Sequence, residues 1–64
     1  MLTEQDIKSA AQFLVAQRGV CAPSHAAMRA AALIKDGNQR GGADWLRVKR
    51  AAETLLASET ETAA

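Results

Sequence analysis

"DGNQRGGADWLRV", residues 36–48, is the stretch whose reading decides the fold. It sets Gly37, Gly41 and Gly42 close together and then places a lone tryptophan, Trp45. Three readings compete: a phosphate-cradling loop, a linker, or the junction of two packed helices. A phosphate loop requires lysine and then serine or threonine after its last glycine, and follows a strand. Here Gly42 and Ala43 follow Gly41. A dinucleotide fingerprint requires G-x-G-x-x-G inside a strand–helix–strand unit. No segment of this chain alternates apolar and polar residues with period two, and Ile7, Val15, Val20, Ile34 and Val48 are scattered. Helix is therefore the expected element throughout, and the junction is the reading that survives.

Working outward from the junction, the chain divides into three amphipathic segments. Thr3 followed by Asp6 forms an acidic variant of the capping box, with Leu2 and Ile7 at the hydrophobic-staple positions. Ile7, Ala10, Ala11, Leu14 and Arg18 continue a helical stripe, and Gly19 is the natural stop. "VCAPS", residues 20–24, reads as a connector in which Pro23 opens a helix or precedes a Ser24 cap. Ala26, Ala27, Ala30, Ala31, Leu33 and Ile34 share one side of the second segment, and Gly37 ends it. The third segment starts from an Asn38 cap or an Asp44 cap, and Trp45, Val48, Ala52, Leu55 and Leu56 share its apolar face. The expectation is an all-α, short three-helix bundle in up-down-up order, with helices at 4–18, 24–36 and 39–57. Residues 1–57 form the domain and 58–64 a polar, disordered tail. Ile7, Leu14, Ile34, Trp45, Val48, Ala52 and Leu55 are expected at the centre of the core.

Arg29-Ala30, Leu33, Gly37-Asn38, Gly41, Trp45, Arg47-Val48, Ala51 and Leu55 resemble a pattern found in small helical proteins, mostly from alphaproteobacteria. That pattern is approximately R-A-x-x-L-x-x-x-G-D-x-x-G-x-x-x-W-x-R-I/V-x-x-A-x-x-x-L. The resemblance covers residues 26 to 56, with Asn38 where aspartate is more usual. It implies a bacterial origin and a fold in which Gly37 stops one helix and Asn38 caps the next. Gly41 would then lie in the first turn of the third helix and let the second approach closely, with Trp45 plugging the core. The similar proteins have no assigned activity, so no catalytic residue is carried over.

Totals narrow the function. A chain of 64 residues buries a modest core and is marginal without disulfides, a metal, regular helix packing or a partner. Cys21 is the single cysteine, which rules out an internal disulfide. Cys21 and His25 give only half of the ligand set of a closed zinc site, so neither metal nor cofactor is implied. His25 is the only histidine, and Glu4, Asp6, Asp36, Asp44 and Glu53 are accounted for by caps, helix starts and solvated faces. No catalytic set is expected. The net charge of +1 gives no strong overall field. The polar, acidic start and the unpaired cysteine suit a reducing cytoplasm, and no apolar run approaches the roughly 18 residues of a membrane span.

Two binding classes remain. Phe13, Met28 and Leu46 fit the core stripes poorly, and a shared apolar patch would mark a protein partner or a second copy of the chain. Arg40, Arg47 and Arg50 form one stripe on the third helix, opposite its apolar face, which is the footprint of a weak nucleic-acid-binding helix. No asparagine or glutamine for reading bases accompanies that stripe, so a protein partner is the leading expectation.

Overall fold

The computed structural model describes residues 3–63, with side chains through Ser58. Leu2 and Ala64 lie outside the described residues. The fold is all-α. Apart from Thr3 and the turn at 36–38, every described residue is helical. The elements are α1 (Glu4–Arg18), a 3₁₀ turn (Gly19–Cys21), α2 (Ala22–Lys35) and α3 (Gln39–Ala63).

α1 begins as its sequence dictates. Thr3 Oγ1 accepts from the amide of Asp6 at 3.1 Å, and the Thr3 amide donates to Asp6 Oδ2 at 3.1 Å, so two orphan donors of the first turn are satisfied reciprocally. Gly19 ends the helix with φ 57° and ψ −131°, its amide bonded to the Val15 carbonyl. The expected connector at 20–24 is replaced by the 3₁₀ turn, which leads into α2 without a non-helical residue. Cys21 is the N-cap of α2 and Pro23 lies in its first turn, where its missing N–H deprives no bond. Helical backbone thus runs unbroken from Glu4 to Lys35. The molecule consists of two continuous helical runs, the first bent at Gly19, and not of three helices separated by loops.

The α2–α3 junction is a Schellman motif that is also an N-cap. Gly37 adopts φ 89°, its amide donates to the Ile34 carbonyl at 3.0 Å, and the Asn38 amide donates to the Leu33 carbonyl at 2.8 Å. These are the paired 5→2 and 6→1 bonds that close a helix C-terminus. Asn38 Oδ1 then accepts from the Gly41 amide at 2.9 Å, and the Asn38 carbonyl accepts from Gly42 at 3.0 Å. Asn38, not Asp44, therefore starts α3. The chain reverses over three residues, and α3 packs most extensively against α2 and next against α1, while α1 and α2 meet little beyond their shared bend.

The close approach belongs to Gly42, in correction of the role expected for Gly41. A Cβ at Gly42 would lie 2.9 Å from Ile34 Cδ1 and 3.1 Å from the Ala30 carbonyl oxygen. The atoms nearest to a Cβ at Gly41 would be those of the Asn38 side chain. One residue along a helix is a rotation of about 100°, which is the difference between facing α2 and facing the cap.

The buried core consists of Ile7, Ala11, Leu14, Ala22, Ala26, Ala30, Val48 and Ala52. Five of these eight are alanine, small side chains that permit close approach of the helices. Three expected core residues move outward. Ile34 is 45% exposed, because it lies over the edge of Gly42 and not between the helices. Trp45 is half-buried against the core, with the Arg29 guanidinium 5.4 Å from its ring centroid. It acts as a lid on the α2–α3 seam, and Val48 takes the centre. Leu55 is also half-buried. α3 continues past the end expected near Ala57, through part of the anticipated tail, to Ala63. No glycine or proline follows Gly42, and a nucleated helix propagates readily through alanine, leucine and glutamate.

Two substitutions test this arrangement. Asn38→Ala removes the cap side chain and is expected to lower stability by about 1 kcal/mol, with Asn38→Asp close to wild type in urea denaturation. Gly42→Ala should gain about 1 kcal/mol from helix propensity, yet the contact with the Ala30 carbonyl makes the net effect destabilising by about 1–2 kcal/mol. In an Ile34→Ala background the Gly42→Ala loss should shrink, since one of its two collisions is gone.

Candidate interaction surface

The apolar residues singled out in the sequence are exposed, each on a different helical segment. Phe13 is 63% exposed, Met28 71% and Leu46 45%. Their position on each helix explains this. Phe13 precedes buried Leu14 and is turned about 100° from it. Met28 lies two residues after buried Ala26 and Leu46 two before buried Val48, which puts each on the far side of its helix. The three stand on three different helices. Leu46 shares a shallow depression with Arg47, Lys49, Arg50 and Glu53 on α3, and neither Phe13 nor Met28 is part of it. Singly exposed apolar side chains of this kind are ordinary.

Arg40, Arg47 and Arg50 are all exposed, and their spacing along α3 keeps them on the side away from Trp45 and Ala52. None of the three forms an ion pair with another described residue. Cys21 is exposed and free, and His25 is partly buried near the start of α2. Among the described residues no three Cys, His, Asp or Glu side chains converge.

The structure adds a feature that periodicity did not show. A groove runs between α1 and α3. Its middle is a hollow of about 430 Å³ lined by Lys8, Gln12, Ala51, Thr54 and Leu55. Towards the bend it continues along Val15, Ala16 and Gly19, again beside Gln12 and Leu55. Towards the other end it continues along Glu4, Ile7 and Arg47, again beside Lys8 and Ala51. The shared residues make these one continuous trough. Its middle and its bend end are largely apolar, with Val15, Ala16, Ala51 and Leu55, while the other end is half polar, with Glu4, Lys8 and Arg47 beside Ile7. The groove exists because Ala51 and Ala16 are too small to fill the space between the two helices. The signal in the sequence was the presence of small residues on the flanks of both apolar stripes, at 16 and 51. It carries meaning only once α1 and α3 are known to lie side by side.

No protein-family model, curated protein or solved structure matches the chain. Among the described residues no helix is long and apolar enough to cross a membrane.

Proposed function

We propose that the chain is a small, non-enzymatic protein-interaction module that presents the α1–α3 groove to a protein partner. The observation that carries this reading is the continuity of the trough from Glu4 and Arg47 to Gly19 and Leu55. A largely apolar groove is the form in which helical segments are commonly received. Leu46, Phe13 and Met28 then act as peripheral contacts and not as one patch. The proposal extends to a bacterial and cytoplasmic setting, on the resemblance of residues 26–56 and the unpaired Cys21.

The exposed stripe of Arg40, Arg47 and Arg50 favours a second reading, weak nucleic-acid binding through the phosphate backbone. Three phosphate contacts would give a salt slope of about −2.7 on double-stranded DNA. Arg47→Glu would flatten that slope, whereas binding unchanged in Arg47→Glu would remove this reading.

Ala16→Glu tests the groove. Ala16 is exposed and lines the trough, so a glutamate there should leave the helical circular-dichroism spectrum unchanged and the unfolding free energy of the dilute chain within about 0.5 kcal/mol of wild type. In paired affinity captures with wild-type and Ala16→Glu baits, the proteins retained by wild type should be lost from the variant. Equal retention by both baits would exclude the groove as the docking surface.

A further inference from the structure

Leu46 differs from Phe13 and Met28 in its surroundings. The depression it occupies on α3 has a volume of about 330 Å³, and three of its other four lining residues, Arg47, Lys49 and Arg50, are cations. The fourth is Glu53. Leu46 and Arg50 each lie two residues from fully buried Val48, a rotation of about 200°, so both point away from the core. None of the three cations forms an ion pair with another described residue. Arg40, two turns before Arg47, is exposed on the same side. Residues 39–53 thus carry four cations against Asp44 and Glu53. This stretch is more positive than the whole chain, whose net charge is +1.

We propose that the outer face of α3 binds an anionic lipid surface, its four cations on the headgroup phosphates and Leu46 entering the leaflet among them. The cations alone would serve a nucleic-acid backbone equally well. The leucine decides between the two. Phosphate contacts of a duplex engage the arginines and leave Leu46 in water, and no aromatic side chain stands on this face to stack a base. A lipid leaflet sets phosphates directly above hydrocarbon, so it matches cations that ring an apolar side chain. The long stems of Arg47, Lys49 and Arg50 let their charged ends stay with the phosphates while Leu46 dips between them. The contact is peripheral. No helix among the described residues is long and apolar enough to cross a membrane, and one leucine with a few cations gives weak, reversible adsorption. Glu53 repels the same surface and ends the contact about one turn after Arg50. This binding goes beyond the protein-interaction reading and needs no occupant in the α1–α3 groove, which shares only Arg47 with this face.

The test is co-sedimentation of the full chain with vesicles of phosphatidylcholine alone and of phosphatidylcholine mixed with phosphatidylglycerol, at low and raised salt. Binding to the mixed vesicles only, weakening as salt rises, is expected. Arg50→Gln should lower the partition coefficient about fivefold. Leu46→Gln should lower it about tenfold and leave any affinity for duplex DNA unchanged. Circular dichroism of each variant checks that the helices persist, and Leu46→Phe, which enlarges the inserted group, should bind the mixed vesicles more tightly than wild type. Equal sedimentation with both kinds of vesicle, or with neither, overturns the proposal. So does binding to the mixed vesicles that neither Leu46 variant alters, since bare attraction of charges would then account for it. A chain that binds duplex DNA and ignores the mixed vesicles sinks the lipid surface and leaves the nucleic-acid reading standing. Ala16→Glu should not change vesicle binding, so failure of the groove and failure of this face are read separately.

Discussion

Asn38 is the residue on which the arrangement depends. Its amide closes the end of α2 on Leu33, its side chain opens α3 on Gly41, and its carbonyl accepts the first helical bond from Gly42. Backbone groups that every helix end leaves unpaired are thus satisfied by one side chain and a three-residue turn. The turn is so short that α3 has no freedom of direction. It must lie back along α2, and the contact at Gly42 follows from that. The bare backbone at Gly42 rests against Ala30, the alanines of α2 align beneath Val48 and Ala52, and α1 covers what remains. The groove on the other side of α3 is the space left after α2 has taken its place.

The parts of the fold that were legible in the sequence are those governed by neighbours within a few residues. The Thr3–Asp6 box, the positive φ at Gly19 and Gly37, and the Asn38 cap all depend on local hydrogen bonds and on glycine's tolerance of left-handed backbone. Each could be read without knowing where any other helix lies. The misreadings share a different origin. Assigning the close approach to Gly41, placing Ile34 in the core and making Trp45 its plug all required knowing how α2 and α3 are rotated about their axes. An error of one residue is an error of about 100°, enough to exchange a buried position for a rim position.

The bend and the far end of α3 failed for a third reason. Residues 20–24 contain a proline and a serine and look like a loop, but proline within a first helical turn is no obstacle. The polar composition after Ala57 suggested fraying, although nothing there breaks a helix. As for the candidate surface, Phe13, Met28 and Leu46 could be recognised as misfits to the apolar stripes, and they are exposed. That they belong to three separate helix faces, and that the trough lies elsewhere, depends on how α1 is laid beside α3. Those segments are more than twenty residues apart in sequence, and no pattern within either one records the other.

The alanines at 22, 26 and 30 have a consequence for how this chain can vary. Alanine is the smallest side chain that a helix favours, and each of the three is fully enclosed. Any replacement other than glycine adds volume, and added volume in a close-packed seam forces helices apart. Glycine in turn weakens the helix itself. The inner side of α2 therefore stands at a boundary of sequence space, with loss in both directions and no compensating enlargement across the seam, where Gly42 is already bare. Change in a lineage carrying this fold should accumulate on the outer side of α2, at Ser24, Met28, Ala31 and Lys35, while the inner row stays fixed. That asymmetry between two sides of one helix is what an alignment of related sequences would show.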